Sequence, residues 1–279
     1  VATLFIVSTP IGNLGDLSPR AANTLRTVDR ILAEDTRRTR VLADHAGAKA
    51  PLVSLHAHNE AERTERVLSW LDAGETLAMV SDAGTPLVSD PGGRLVRAVT
   101  EGGHTVVPIP GPSAVLAALV GSGLPSDRFT FLGFPERKGA AREALLARVA
   151  GAEEAVVLFE SPQRLVRLLE DLSEVCGPTR PVTVARELTK VHEEFLRGTL
   201  SEVAAYYRQH PPRGEVSLVV GPAEAPPRSE EELEGEARDV ARRLLAEGAK
   251  PSAVAREISR RLAMGRNAAY RIVHDIAES

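Results

Sequence analysis

Five short apolar runs, at residues 4–8, 31–34, 52–55, 77–81 and 105–109, alternate with stretches whose apolar residues recur at helical spacing. That alternation is a βαβα signature and places the chain in the α/β class. The helix starts agree with it. In "SPRAANTLRTV", Ser18 reads as an N-cap with Pro19 at the first helical position, and in "NEAERTERVLSWL", Asn59 stands three residues before Glu62, a near relative of the capping box. A second αβ series opens after "GSGLPSDR", with strands expected at 129–134, 155–160, 182–186 and 216–220. The Pro-rich stretch "GPAEAPPRSE" reads as a linker, and everything after it as helical. Three regions follow: an α/β domain over 1–122, a second over 123–222, and a linker with a helical tail over 223–279.

A chain of 279 residues, 43% hydrophobic, is long enough for two ordinary cores. With 34 Lys and Arg against 38 Asp and Glu, the net charge is -4, so any nucleic-acid contact must come from local basic patches. The single cysteine, Cys176, excludes an internal disulfide and a Cys-based zinc cluster, and fits a reducing cytoplasm. The apolar run at the N-terminus is too short for a signal-peptide core, and no run approaches the roughly 18 apolar residues of a membrane span. The expected location is therefore cytoplasmic, without a membrane partner. His56 and His58 alternate at a strand end, but no acidic or cysteine neighbour completes a ligand set, so no metal is expected. Aromatic residues total 4%, too few for a single-strand stacking platform, and Phe129, Phe131 and Phe134 read as core.

Three of the strands run into unusual loops: "STPIGNLGDL" after the first, "SDAGTPLVSDPGG" after the fourth and "PGPSA" after the fifth. A loop that only reverses the chain needs about two to five residues; a longer one of Asp, Gly, Thr and Pro offers backbone to a ligand. Open α/β sheets bind ligands outside the carboxyl ends of their strands, where these loops lie. The familiar nucleotide fingerprints are missing: no G-x-G-x-x-G follows the first strand and no G-x-x-x-x-G-K-[ST] occurs. Neither a Rossmann dehydrogenase nor a P-loop ATPase is supported.

The motifs "STPIGNLGDLSPRA", "AEDTRRT", "VSDAGTPLVSDPG", "PIPGPSA", "FLGFPERK", "FESPQRL", "ARELTKVHEE" and "GEVSLVVG" stand in one order along the chain. In that order the sequence resembles the ribosomal RNA small subunit methyltransferase I branch of the tetrapyrrole methylase superfamily, from residue 4 to about residue 221. The resemblance implies two α/β domains with S-adenosylmethionine in the cleft between them, and methylation of the ribose 2'-hydroxyl of a decoding-centre cytidine in 16S ribosomal RNA of the small subunit. It also suggests a homodimer. Porphyrin-type members resemble GxGPGD after the first strand; "TPIGNLGD" here argues against a tetrapyrrole substrate. A methyltransferase of another small molecule, and an assembly factor that keeps the pocket without turnover, are the alternatives.

On this resemblance the donor is held by Pro10 and Gly12 in the first loop, by Asp82, Ala83, Gly84, Thr85 and Pro86 in the second, and by Pro112, Ser113 and Ala114 in the third. Ser113 is equally readable as a plain N-cap. Glu187, Leu188 and Val216 in "RELTK" and "GEV" form the adenine side, largely through backbone. In-line methyl transfer needs mainly positioning, but a ribose hydroxyl is a poor nucleophile, so a carboxylate base is expected. Glu34 and Asp35 are favoured over Glu187 and Glu193, because "AEDTRRTR" sets strand-end carboxylates beside Arg37, Arg38 and Arg40, which suit phosphates. Arg137 and Lys138 in "PERKG", Lys190, and Arg266 and Arg271 in the tail complete the RNA-binding candidates. The tail has a helix-turn-helix outline, with Ser252 as an N-cap and a turn at Gly265.

Overall fold

The structure, a computed structural model, describes residues 1–56, 59–223 and 230–277. Its first sheet holds β1 (Thr3–Val7), β2 (Arg30–Ala33), β3 (Leu52–Ser54), β4 (Leu77–Val80) and β5 (Thr105–Ile109). All pairings are parallel, in the order β3-β2-β4-β1-β5. Strand side chains alternate between the two faces, and both faces are apolar, as a parallel sheet covered by helices requires. Val7, Ile31, Ala78 and Val80 meet α1 (Pro19–Thr27) and α2 (Thr36–Ala46). Leu4, Ile6, Leu32, Leu77 and Met79 meet α3 (Glu60–Asp72) and α4 (Gly93–Glu101) on the other face. Ser18 caps α1 by accepting from the Ala21 N–H at 3.1 Å, with Pro19 at the first helical position. At α3 the capping-box relative does not form. Asn59 accepts from the His56 N–H at 2.8 Å instead, drawn back toward the preceding turn.

The next helix, α5 (Ala114–Ser122), leads to a second sheet built from β6 (Phe129–Phe131), β7 (Ala155–Glu160), β8 (Pro181–Arg186), β9 (Glu194–Thr199) and β10 (Val216–Val220). Its order is β6-β7-β10-β8-β9; only β6 and β7 run parallel. One face is covered by α6 (Ala140–Ala150), α7 (Pro162–Cys176) and α8 (Leu200–Gln209), through residues such as Leu165, Leu169 and Tyr207 against Leu158, Val184 and Leu218. The other face receives α5. Val115, Ala118 and Leu119 pack with Ala155, Val157, Ala185 and Val219, and Ile11 and Leu188 join the same cluster. A helix of the first half thus covers the sheet of the second, and residues 1–223 form one compact unit.

Two expectations about this region need correction. Strand β9, in "EFLRGT", is not among the expected strands; it is an edge strand paired only with β8, half-exposed along its length, and so carries no apolar alternation. Phe129 and Phe134 are not core: β6 stops at Phe131, and the two rings are 38% and 56% exposed.

The described C-terminal residues form a separate unit of three helices, α9 (Glu230–Ala246), α10 (Pro251–Arg261) and α11 (Arg266–Ala277). Ala237, Ala241, Val254, Ile258, Ile272 and Val273 make its core. Ser252 is not the N-cap of α10; that position is Lys250, because Pro251, with its fixed φ and no N–H, takes the first helical place. Most of the Pro-rich linker, and His58, lie outside the described residues. Among the described residues no helix is long and apolar enough to cross a membrane.

The packing of α5 generates a stability prediction. Leu119 is 2% exposed, so Leu119→Ala is expected to cost about 2–5 kcal/mol in urea unfolding. Val41→Ala, at a 60% exposed position on α2, is expected to stay within about 0.5 kcal/mol.

Candidate active site

The loops after β1, β4 and β5 are tied into one surface because β4, β1 and β5 are neighbours in the sheet. Thr9 and Gly84 exchange both backbone hydrogen bonds, at 2.8 and 3.1 Å. The Ser8 and Thr85 hydroxyls meet at 3.1 Å, and Thr85 donates onward to the Pro112 carbonyl at 3.3 Å. Gly84 has φ +79, and a Cβ there would sit 3.3 Å from Ile11, so the bridge needs glycine twice over. Other residues take left-handed backbone without being glycine. Of five such residues described, Leu87 and Ser89 follow Gly84, and Glu187 and Thr189 lie in the loop after β8. Sparsely populated backbone held by its surroundings is typical of ligand sites.

Between these loops and the second sheet lies a cavity of about 420 Å³, within the usual range of small-molecule sites. The first half contributes Asp82 to Thr85, Val88 to Asp90, and Ser113 to Val115, the last three being the N-cap and first turn of α5. Ser113 accepts from the Leu116 N–H at 3.4 Å, so its hydroxyl does cap the helix while lining the cavity. The second half contributes Leu188, Gly214 to Ser217, Glu160 to Pro162, and the rings of Phe134 and Phe159, whose centroids lie 5.4 Å apart. The first half thus brings small and polar loop residues with a helix N-terminus, and the second half mixes the Phe134, Phe159 and Leu188 side chains with the Glu160 and Glu215 carboxylates.

The carboxylates around this space differ sharply. Asp82 accepts from the Asp35 N–H at 3.0 Å and pairs with Arg38 at 3.2 Å, fastening the start of α2 to the loop after β4. Asp35 caps α2 by accepting from the Arg37 N–H at 2.9 Å and pairs with the Arg37 guanidinium at 2.7 Å. Hydrogen bonds from Arg37 hold its carboxyl far below the ordinary range. Glu34 is pushed upward, by burial first and then by the Asp82 charge. Burial, followed by the Glu34 charge, lifts Asp90 to about 6. Across the cavity, Glu187 accepts from Lys190 at 2.9 Å and from the Glu215 N–H at 3.0 Å, which holds its carboxyl low. Glu193 accepts from the Thr189 N–H at 2.6 Å.

Residues 3–204 match the family model described as Tetrapyrrole (Corrin/Porphyrin) Methylases. A ribosomal RNA small subunit methyltransferase I from a Synechocystis strain is 46% identical over 272 residues, 96% of each chain. The protein of the same name from Bacillus subtilis is 39% identical, covering 98% of this chain and 92% of the relative. The chain belongs to the ribosomal RNA small subunit methyltransferase I branch of the tetrapyrrole methylases. A uroporphyrin-III C-methyl transferase from Thermus thermophilus, solved with S-adenyl homocysteine, is 21% identical with a TM-score of 0.58, covering 79% of this chain and 97% of that one; it shares the fold.

Within this methylase, eight of the expected donor residues line the cavity: Asp82, Ala83, Gly84, Thr85, Ser113, Ala114, Leu188 and Val216. Pro10, Gly12, Pro86, Pro112 and Glu187 do not. Gly12 instead lets the first loop cross the "RELTK" loop, since a Cβ there would lie 2.9 Å from the Leu188 carbonyl. Of the two favoured bases, Asp35 caps α2, and neither it nor Glu34 lines the cavity. Asp90 was missed. Its signal was the second Ser-Asp pair of "SDAGTPLVSDPGG", which carries no more weight in sequence than the first.

Among the RNA candidates, Arg38 reaches the cavity, Arg37 is held by Asp35, and Arg40 is exposed on α2. Lys190 is shared between Glu187 and Glu215, at 2.9 and 3.1 Å. Lys138 is exposed before α6, Arg137 lines a separate cavity, and Arg266 and Arg271 are exposed on α11. Among the described residues no group of three His, Cys, Asp or Glu side chains is placed to hold a metal ion.

The bridge at Gly84 sets the next prediction. Gly84→Val is expected to weaken S-adenosylhomocysteine binding at least tenfold in calorimetry, with Gly84→Ala between it and the parent; EDTA is expected to change neither.

Proposed function

We propose that this chain methylates the ribose 2'-hydroxyl of a decoding-centre cytidine in 16S ribosomal RNA, with S-adenosylmethionine as the donor and no metal. The reading rests on one observation: the family's own motif loops enclose a cavity of small-molecule size, with the half-buried Asp90 carboxylate on its wall. The relatives' names supply the ribosomal RNA of the small subunit as substrate class. When bound, the donor supplies a methyl group on a sulfonium sulfur, which the ribose oxygen takes as it gives up its proton.

The residues divide the work by chemistry. Backbone around Gly84 and Thr85 and the first turn of α5 receive the polar parts of the donor, and Phe134, Phe159 and Leu188 offer an apolar face to its base. Asp82 has no proton-transfer role here; bound to Arg38 and the Asp35 N–H, it positions the loop. Asp90 accepts the hydroxyl proton, and Glu34 acts through it, its charge keeping Asp90 basic. Arg38 at the cavity edge receives RNA phosphate, and exposed Arg266 and Arg271 extend the RNA contact. A homodimer belongs to the same reading, supported by Leu116 and Val120, which leave an apolar strip of α5 exposed at 51% and 74%. Light scattering tests it.

The decisive experiment is incubation with labelled donor and either small subunits or naked 16S RNA from a methylase-deficient strain, followed by mapping of the modified nucleotide. Label on a base, on a small molecule, or nowhere overturns the reading. Asp90→Asn is expected to keep donor affinity within about twofold while lowering turnover about a hundredfold or more. The sign of the pH dependence follows from the same group. Below about pH 6 Asp90 is protonated and cannot accept, so single-turnover rates are expected to fall with decreasing pH and to level off above it. Removing residues 224–279 is expected to raise KM for small subunits and leave S-adenosylhomocysteine affinity unchanged; a loss of donor affinity would make the tail structural.

A further inference from the structure

A second cavity, of about 460 Å³, opens beside the first, and Ser161 lines both. Its other walls are Arg137, Arg142, Gln163, Arg164 and Arg167: four guanidinium groups and no carboxylate, in a chain whose net charge is -4. Two of the four are already committed. Arg142 is buried and pairs with Asp171 at 2.6 Å, and it donates to the Glu136 carbonyl at 2.9 Å. Arg164 donates to the Pro135 carbonyl and lies 3.1 Å from Glu160 in ion-pair contact. These two fix the shape of the wall.

Arg137 and Arg167 are different. Both are exposed, and among the described residues neither has an ion-pair or hydrogen-bond partner. Gln163 and Arg167 are four residues apart on α7 and so share one face of it. Ser161 is the N-cap of that 15-residue helix, yet its hydroxyl accepts nothing from the first turn; with the Ser161 N–H it donates to the Glu160 carboxylate, at 3.4 and 2.7 Å, and Pro162 supplies no N–H. With Arg142 and Arg164 neutralised by Asp171 and Glu160, Arg137 and Arg167 leave two unbalanced positive charges on the wall, a field that attracts an anion. Their planar donor forks fit phosphate oxygens.

We propose that this cavity is the seat of a phosphodiester of the substrate RNA, next to the nucleotide whose ribose enters the donor cleft, gripped by Arg137 and Arg167 with Gln163 and the first turn of α7. The proposal rests on the reading of the chain as an RNA methylase. Continuity through Ser161 selects a phosphate on a strand already entering the cleft over a free anion. The seat fixes the strand by its backbone and leaves base choice to the cleft.

The test uses the full chain, with Arg137→Ala, Arg167→Ala, the double variant and Arg167→Lys. Binding of a single-stranded RNA oligonucleotide covering the methylated region is followed by anisotropy across a salt series, alongside single-turnover methyl transfer to small subunits and calorimetry with S-adenosylhomocysteine. Each alanine is expected to flatten the plot of log affinity against log salt by about 0.7 and to raise KM several-fold, with the single-turnover maximum and donor affinity within about twofold. Arg167→Lys is expected to restore the slope but only part of the affinity. An unchanged slope and KM in the double variant overturns the proposal. So does inorganic phosphate binding more tightly than the oligonucleotide, which makes the cavity a free-anion site. If the parent protein binds the oligonucleotide with the expected slope changes yet transfers no methyl group, the phosphate seat stands and the methylase reading fails.

Discussion

Everything at the cleft depends on the apolar contact between α5 and the second sheet. Val115, Ala118 and Leu119 stand on Ala155, Val157, Ala185 and Val219, small or branched residues that let helix and strands approach closely. Because α5 starts at the end of the "PGPSA" loop, the same contact that joins the two sheets sets its N-terminus at the cavity wall. Ile11 and Leu188, one from a loop of each half, complete the cluster and bring the loops themselves into register. The cleft is therefore the rim of a hydrophobic core. Its polar groups are held by packing beneath them, which suits a reaction that asks chiefly for alignment.

Around that rim, local backbone is kept away from its preferred conformations. Leu87, Ser89, Glu187 and Thr189 sit in left-handed backbone, each at a cost of order 1–3 kcal/mol. What holds them is visible: the Thr9–Gly84 bridge on one side, and on the other the Glu187 and Glu193 carboxylates accepting from Glu215 and Thr189 N–H groups. Carboxylates near the cleft are thus mostly structural ties. Asp90 is the one on the cavity wall that burial leaves easy to protonate.

Sequence disclosed the parts governed by periodicity. Nine strands were legible because each carries an apolar run bounded by turn chemistry, and Ser18 and Pro19 announced α1 without ambiguity. What it did not disclose has physical reasons in particular residues. Strand β9 is an edge with little to bury, so Glu194 and Arg197 hid it. Ser252 lost its cap to Pro251, two plausible signals competing for one helix start. Phe134 reads as core by composition but lines the cavity, since an exposed ring and a buried one look alike in sequence. Among the candidate bases, Asp35 and Asp90 are chemically identical. Only their neighbours, an arginine fork for one and a desolvated wall for the other, separate them. The loop residues with fixed backbone demands, Gly84 above all, were the most legible part of the site.

The reach of α5 also has a consequence in time. Its apolar face is complete once residue 122 has been made, but β10, the central strand beneath it, ends only at Val220. At about 5–20 residues per second, the ribosome leaves that helix without its covering sheet for roughly 5–20 s. Throughout that interval the first sheet can close, since β1 to β5 are all in hand by Ile109, while the surface for Val115, Ala118 and Leu119 is still incomplete. The nascent chain therefore passes through a half-built stage carrying a greasy helix, a natural client for holding chaperones and the stage at which a slow codon would be most costly.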